Sequence, residues 1–385
     1  MSGERLGLTI LTRDALLDRV AEIYPLLDET AGATEELRTL CPQAVDALHE
    51  QGLFRLWLPI ECGGYDVDLV TQIDVMIAVA RADMSACWAL MIGISATALM
   101  ASSLPEAGLA EVFSQAERLP LAVGSLKASG EARAVEGGYV ASGKWGFGSG
   151  IQHASYAVAN CMISDADADA KKKTVQLVVP IGEVTIHDDW YVAGLCGSGS
   201  NSYSVSEVFV PFSRVLDDAL PVWRKSNPGP RLPIEHAAVS LGGAGRALDE
   251  VTRQAVSKRR LWESQSVASK QGFQIEIGKL EAEWQSLVAG VRHCAAEMAR
   301  ISQDEPAGLM LAAVKLRAVC AHAAERSLAI GGRALRHAGA GAVANFNVLQ
   351  RIHRDLTVSA QHGMIADVAY EDYGKERLDT FERGA

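Results

Sequence analysis

Nothing in this sequence favours a polyanionic partner. Its 36 Lys and Arg are outnumbered by 47 Asp and Glu, a net charge of −11. A field of that sign repels nucleic acid and anionic membrane surfaces. Aromatic residues make up only 6% of the chain, with none of the basic–aromatic interleaving that grips single strands. The seven cysteines (Cys41, Cys62, Cys87, Cys161, Cys196, Cys294 and Cys320) are odd in number, widely spread and never arranged as C-x-x-C. That pattern excludes zinc-finger spacing, argues against a disulfide framework and points to the reducing cytoplasm. The stretch Met1 to Leu17 lacks a signal-peptide apolar run. Met84 to Leu104 is uncharged and long enough to span a bilayer. It carries Ser85, Ser95, Thr97, Ser102 and Ser103 and lies between amphipathic segments, so a buried core helix is expected. What remains is a 385-residue acidic chain, 49% apolar and 22% charged, with ample material for a core. That composition suits a globular enzyme.

Periodicity divides the chain into three parts. The first reads as helices: about 13–30, 42–51, 69–82, 85–101 and 106–117. Near Leu119 short β-favouring runs begin: 119–126, 132–136, 139–147, 156–163, 175–179 and 202–210. Gly137-Gly138 and the tract 165–173 read as hairpin connections, the latter as an exposed loop tip. After a Pro/Gly-rich linker at 226–230, long helices are expected at about 235–262, 268–303, 306–337 and 346–373. The expected class is α+β: an N-terminal helical domain (1–118), a β-barrel domain (119–225) and a C-terminal four-helix bundle (226–385). Alternating β and α units are absent, which excludes a doubly wound nucleotide-binding fold.

Several catalytic signatures fail. Gly242-Gly243-Ala244-Gly245 and Gly331-Gly332 lie inside helical stretches, whereas a dinucleotide fingerprint needs a strand-to-helix turn. Close helix packing is the expected reason for Gly242 to Gly245. No Walker sequence, H-E-x-x-H or G-x-S-x-G occurs, and His353 with His362 lacks a carboxylate arrangement that would hold a metal.

Five local patterns do occur in a telling order: "LFRLWLPIECGGYDVD" (53–68), "GKWGFGSGIQHASY" (143–156), "RRLWESQSVASKQ" with Arg260 and Gln271 eleven apart, "AIGGRAL" (329–335) and "RIHRDL" (351–356). Together with the domain order they resemble the acyl-CoA dehydrogenase superfamily over nearly the whole chain. The resemblance implies that Phe147 lies against a flavin ring and that Ser149 hydrogen-bonds near its N5. It implies that Arg260 and Gln271 reach the phosphate-bearing tail across a subunit boundary, with Gly331 and Gly332 in the paired-glycine segment.

The departures narrow the reading. The dehydrogenase Glu expected eight or nine residues after Arg354-Asp355 is replaced by Gln361-His362-Gly363. Val123-Gly124-Ser125 stands for the family's T-E element, and Trp145 stands where dehydrogenases carry a Lys. These features are similar to the two-component flavin-dependent monooxygenase branch. That branch includes para-hydroxyphenylacetate and steroid phenol hydroxylases, dibenzothiophene monooxygenases and amino-sugar N-oxygenases. It shows W-x-F-x-S-G, G-S/T-G-S and a Q-H in the last helix, here Trp145 to Gly150, Gly197 to Ser200 and Gln361-His362. The implied activity is oxygenation of a small aromatic or amine substrate by O2 and reduced FMN or FAD, through a flavin C4a-hydroperoxide. The implied partners are a separate NAD(P)H-dependent flavin reductase and further copies of the chain in a homotetramer.

In this reading His362 is the acid/base and Ser149 accepts from N5–H. Ser125, Trp145, Phe147, Ser198 and Ser200 line the flavin, and Arg260, Gln271, Gly331 and Gly332 hold its tail. Each has a plainer alternative: a strand cap for Ser149, a core aromatic for Trp145 or Phe147, a helix charge for Arg260. His153 is expected to be structural, and His236, His322, His337 and His353 receive no role. Two other functions stay open: an acyl-CoA dehydrogenase with Glu235 as base, and a flavin-free scaffold.

Overall fold

The computed structural model of the chain describes residues 11–114, 118–164, 174–217, 228–301 and 306–384. The expected loop tip at 165–173 lies outside them. Helix α1 (Arg13–Leu37) starts where Thr12 accepts the Ala15 N–H, and it buries Leu16, Val20, Ile23 and Leu27 at helical spacing. Pro42 opens α2 (Pro42–Glu50). Helix α3 (Leu69–Ala82) is capped by Asp68 and α4 (Met84–Ser103) by Asp83, so two carboxylates meet the orphan amides of adjacent helix starts. Helix α5 is Glu106–Phe113.

The segment long enough for a membrane span is α4, and most of it is enclosed by protein. It packs on α3, on β1 and on the first C-terminal helix. Apolar on every face, it is the central rod of the molecule, as a helix buried all round must be.

Seven strands follow: β1 (Ala122–Gly124), β2 (Gly130–Val135), β3 (Gly138–Trp145), β4 (Tyr156–Ile163), β5 (Thr174–Pro180), β6 (Thr185–Ile186) and β7 (Tyr203–Pro211). The short β6 has no counterpart in the sequence reading, because two residues carry no period. One edge of β4 is shared by β1 at Tyr156 to Val158 and β2 at Cys161 to Ile163, both parallel; antiparallel β5 takes the other edge. Strands β2, β3, β7 and β6 continue antiparallel, with a bulge between Ala141 and Gly143. The sheet curls until a Leu177–Val215 bridge brings the chain beyond β7 back to β5. Its interior holds Ala132, Ala141, Cys161, Leu177 and Tyr203.

The C-terminal helices are α6 (Pro228–Ser257), α7 (Gln271–Arg300), α8 (Pro306–Ala338), α9 (Val348–Ser359) and α10 (Val368–Gly384). Two differences from the sequence reading matter. Residues 228–230 of the expected linker are the first turn of α6. The expected helix over 346–373 is broken after Ser359, and His362 stands in the break. Gly242, Gly243 and Gly245 serve close packing: a Cβ would overlap Ala80, the Met84 Sδ and Arg81 respectively. One apolar cluster runs from Leu16 through α3, α4 and α6 to Ala369, so the N- and C-terminal helices share a core. None of the seven cysteines, all among the described residues, is in a disulfide.

Candidate active site

Three serines meet where the sheet abuts α4. Ser198 Oγ donates to the Leu195 carbonyl (2.7 Å) and lies 2.7 Å from Ser200 Oγ; Ser200 lies 2.6 Å from Ser149 Oγ; Trp88 Nε1 donates to Ser149 Oγ (3.1 Å). The two ends fix the direction of the whole chain. A carbonyl only accepts and an indole N–H only donates, so Ser200 donates to Ser198 and Ser149 donates to Ser200. Each hydroxyl proton is committed. Ser149 retains one lone pair, ready to accept one more N–H or O–H.

The local backbone explains why the serines converge. Leu195 and Gly199 both adopt left-handed φ (51° and 55°), turning the chain twice within five residues. Gly194 is pressed against the Arg354 carbonyl, leaving no room for a Cβ. The Arg354-Asp355 pair noted in the sequence does the anchoring. Asp355 Oδ1 accepts the Leu195 N–H (2.6 Å), and Arg354 donates to the Ala193 carbonyl (2.8 Å) and pairs with Glu35 (2.5 Å). Burial pushes the Asp355 carboxyl up to about 7.

Two imidazoles adjoin Trp88. His236 on α6 and His362 in the α9–α10 break stack with centroids 3.9 Å apart and planes 27° apart. Trp88 meets both edge-on, at 5.2 Å and 5.8 Å, and so joins the imidazoles to the serine chain. His362 caps the short turn Gly363–Ile365, its Nδ1 accepting the Met364 N–H (3.3 Å). That bond competes with helix continuation and accounts for the break. Arg317 clamps the turn through the Gly363 and Met364 carbonyls. An accepting Nδ1 leaves the neutral His362 proton on Nε2. Burial lowers the pKa of both rings, His236 to about 3, with the like charge of His362 adding to the His236 shift. Both are neutral at physiological pH.

Glu235, the alternative base, is fully buried and faces elsewhere. Gln72 Nε2 (2.5 Å) and Ser95 Oγ (2.7 Å) donate to its two oxygens, and Arg231 orients Gln72 by donating to Oε1 (2.8 Å). Burial pushes this carboxyl up to about 8. Each oxygen accepts one structural hydrogen bond.

The remaining expected residues divide. Phe147 exposes 74% of its surface and stands edge-on to Trp190 at 6.1 Å. It holds φ 62°, a strained choice for an aromatic, at the rim beside Ser149. Ser125 is half-buried, its N–H on the Tyr203 hydroxyl (3.2 Å). Trp145 is a correction: it has no exposed surface, stacks on Tyr203 at 5.4 Å and donates to the Asn160 carbonyl, inside the sheet. Gly130 and Gly143 make room for its ring, so it is a core residue. Gly331 and Gly332 face α9, where a Cβ on Gly331 would overlap Leu356; their role within this chain is helix packing. Arg260 and Gln271 are exposed on and beside the α6–α7 connection, remote from the serines in sequence. His153 is mostly enclosed with Nε2 3.0 Å from Thr39 Oγ1, a structural position.

The geometry thus offers a hydroxyl with one free lone pair, an exposed aromatic rim and two neutral imidazoles. These groups fit a planar ring system that bears an N–H. Two family models agree with the fold: "Acyl-CoA dehydrogenase, N-terminal domain" over residues 13–111 and "Acyl-CoA dehydrogenase, C-terminal domain" over 234–367, more than half of the chain between them. The chain belongs to the acyl-CoA dehydrogenase superfamily. Within that superfamily it is 28% identical to a pigment production hydroxylase of Rhodococcus sp., with 96% of this chain and 97% of that one covered. It is 29% identical to the flavin-dependent monooxygenase oxygenase subunit HsaA of Rhodococcus jostii, with 93% and 97% covered. The crystal structure of 3-HSA hydroxylase from Rhodococcus sp. RHA1 superimposes with a TM-score of 0.82 at 26% identity, over 96% and 98% of the two chains.

Two site residues escape the sequence reading of this superfamily member. Trp88 is hidden because α4 reads only as apolar core. His236 is hidden because a lone histidine is usually structural. The available signal was Glu235-His236 set between Ile234 and Ala237-Ala238-Val239, two ionisable groups in an apolar run.

Proposed function

We propose that this chain is the oxygenase component of a two-component flavin monooxygenase acting on a small aromatic substrate. The observation that carries it is the one-way hydroxyl chain from Trp88 to Leu195. Ser149 has a free lone pair and no free proton, so it welcomes the N5–H of a reduced flavin and has nothing to donate to the bare N5 of the oxidised form. Reduced flavin, when bound, supplies the two electrons with which O2 delivers one oxygen atom to substrate and the other to water.

The protein's part is to hold, orient and exclude. Phe147, Ser125, Ser198 and Ser200 are the residues that would hold the ring, and Trp88 keeps the hydroxyl chain polarised. His362 presents its Nε2–H to the substrate as a donor, and takes a proton there once its own proton moves to Nδ1 and the bond from the Met364 N–H is given up. Its neutral, half-buried state suits an exchange near neutral pH. Arg260 and Gln271 are free to meet the phosphate-bearing tail of a flavin held by another copy, in a homotetramer. A separate flavin reductase supplies the cofactor, and cysteines outside any disulfide fit a cytoplasmic enzyme. The dehydrogenase alternative is disfavoured by the engaged oxygens of Glu235.

Anaerobic titration tests the reading. Reduced flavin should bind at least tenfold more tightly than oxidised flavin, the worth of one hydrogen bond made or denied in a buried site. Admitting O2 with a phenolic substrate and supplied reduced flavin should then yield oxygenated product labelled from O2. Tight oxidised flavin that acyl-CoA reduces directly would restore the dehydrogenase reading.

A further inference from the structure

His236 touches both His362 and Trp88, yet the chemistry assigned to His362 and Ser149 makes no use of it. Its Nδ1 lies 2.7 Å from the Leu232 carbonyl one turn back on α6. A carbonyl only accepts, so Nδ1 carries the proton and Nε2 is bare. The residue is 1% exposed, and Nε2 has no hydrogen-bond partner among the described residues. An unpaired buried acceptor is costly and calls for a partner.

In the proposed function Ser149 already serves as the acceptor for the cofactor. His236 stands on the helical wall, flat against His362, the proposed acid/base. We propose that His236 Nε2 accepts a hydrogen bond from an O–H or N–H group on the aromatic substrate, which makes His236 a specificity-determining residue. This inference rests on the monooxygenase reading and names the substrate feature that the site reads. The stacked pair then offers an acceptor, His236 Nε2, and a donor, His362 Nε2–H. A phenol or an indole satisfies the acceptor; an ether or a thiophene of the same shape leaves it unpaired. Sites built around a hydrogen bond reject analogues that lack it far more strongly than apolar pockets reject a missing methylene. Burial also keeps His236 from becoming charged, so it orients the donor without taking the proton.

Phenol and anisole are suitable probes, alike in shape but differing in the donor. Calorimetric titration of the anaerobic protein with reduced flavin should give phenol a dissociation constant about tenfold or more below that of anisole. His236→Phe keeps a stacked ring and removes Nε2, so the ratio should fall to near one with reduced-flavin binding unchanged. His362→Phe removes a donor that phenol and anisole oxygens accept equally, so the ratio should persist there. A wild-type ratio near one, or a ratio that survives in His236→Phe, overturns the proposal. If His236→Phe does not fold, a crystal structure of the wild-type protein with phenol decides. The hydroxyl must lie within hydrogen-bond distance of His236 Nε2, and any other placement sinks the idea. Oxygen-dependent product formation in the same preparations reads the monooxygenase assignment separately, since the binding ratio needs no oxygen.

Discussion

On the sheet side of the site every hydroxyl proton is committed: Ser149, Ser200 and Ser198 pass their hydrogen bonds one way, from an indole that only donates to a carbonyl that only accepts. On the helical side the two imidazoles hold their tautomers through single backbone contacts, and one nitrogen is left bare. The first wall is a fixed receptor whose only freedom is one lone pair. The second keeps titratable groups that are neutral yet able to exchange or accept a proton. The difference separates two tasks that a redox cofactor imposes. Its ring must be recognised in one oxidation state, and the substrate must be handled by groups that change protonation. Trp88 belongs to both walls, donating to Ser149 and lying edge-on to both rings.

The largest expected effect tests the helical wall. His362→Ala should lower product formation by about 10²–10⁴-fold, the usual worth of one acid/base group. Reduced-flavin binding should stay near wild type, because the serine wall is untouched. Hydrogen peroxide should rise as product falls, and measuring both with saturating reduced flavin checks the pairing. Normal coupling in this variant would mean that the imidazole wall does not handle protons.

Ser149→Ala attacks the other wall. Trp88 Nε1 loses its acceptor and the cofactor loses its lone pair, so affinity for reduced flavin should drop about tenfold to a hundredfold. Oxidised flavin should bind about as before, since Ser149 has no proton to offer it. The contrast between the two titrations is the readout. An equal loss for both oxidation states would show that the hydroxyl chain has no fixed direction.

The sheet wall was more legible in the sequence than the helical one. Ser149, Ser198 and Ser200 sit in glycine-rich turns whose spacing carries the family pattern, and glycine at a turn has a local cause. The β4 bounds, 156–163, follow directly from a β-favouring run. Trp145 misled because W-x-F-x-S-G does not say which face of β3 a side chain takes; alternation sends Trp145 into the sheet and leaves Phe147 beyond the strand end. His236 and the break at His362 depend on α4, α6 and α9 meeting in space. Apolar periodicity through 346–373 continues across a side-chain bond to the Met364 N–H that overrides it. A capping histidine without Ser, Thr, Asp or Asn gives propensity nothing to detect.

The smallest expected effect on activity lies one residue before His236. Glu235 and His236 are consecutive and fully enclosed, yet Glu235 has both oxygens engaged whereas His236 has a bare nitrogen. Glu235→Gln keeps the shape: the amide oxygen can accept from Gln72 and the amide N–H can donate to the Ser95 hydroxyl. Product formation should change by less than about threefold, since no proton at the substrate passes through this group. Stability should respond instead. The folded carboxyl titrates at about 8, against 4.5 for the free side chain. A group whose folded pKa is raised gives its full stability below the unfolded value and loses it as pH rises towards 8. Glu235 should therefore weaken the wild-type protein between pH 5 and 8, by at most about 1.4 kcal/mol per pH step of one, a contribution that the Gln variant lacks while that of Asp355 remains in both. Denaturant midpoints at pH 5 and pH 8.5 should converge at the lower pH and favour Glu235→Gln at the higher by roughly 1–3 kcal/mol. An inactive Glu235→Gln enzyme with an unchanged pH–stability profile would move the proton chemistry to Glu235 and dissolve the contrast between the two residues.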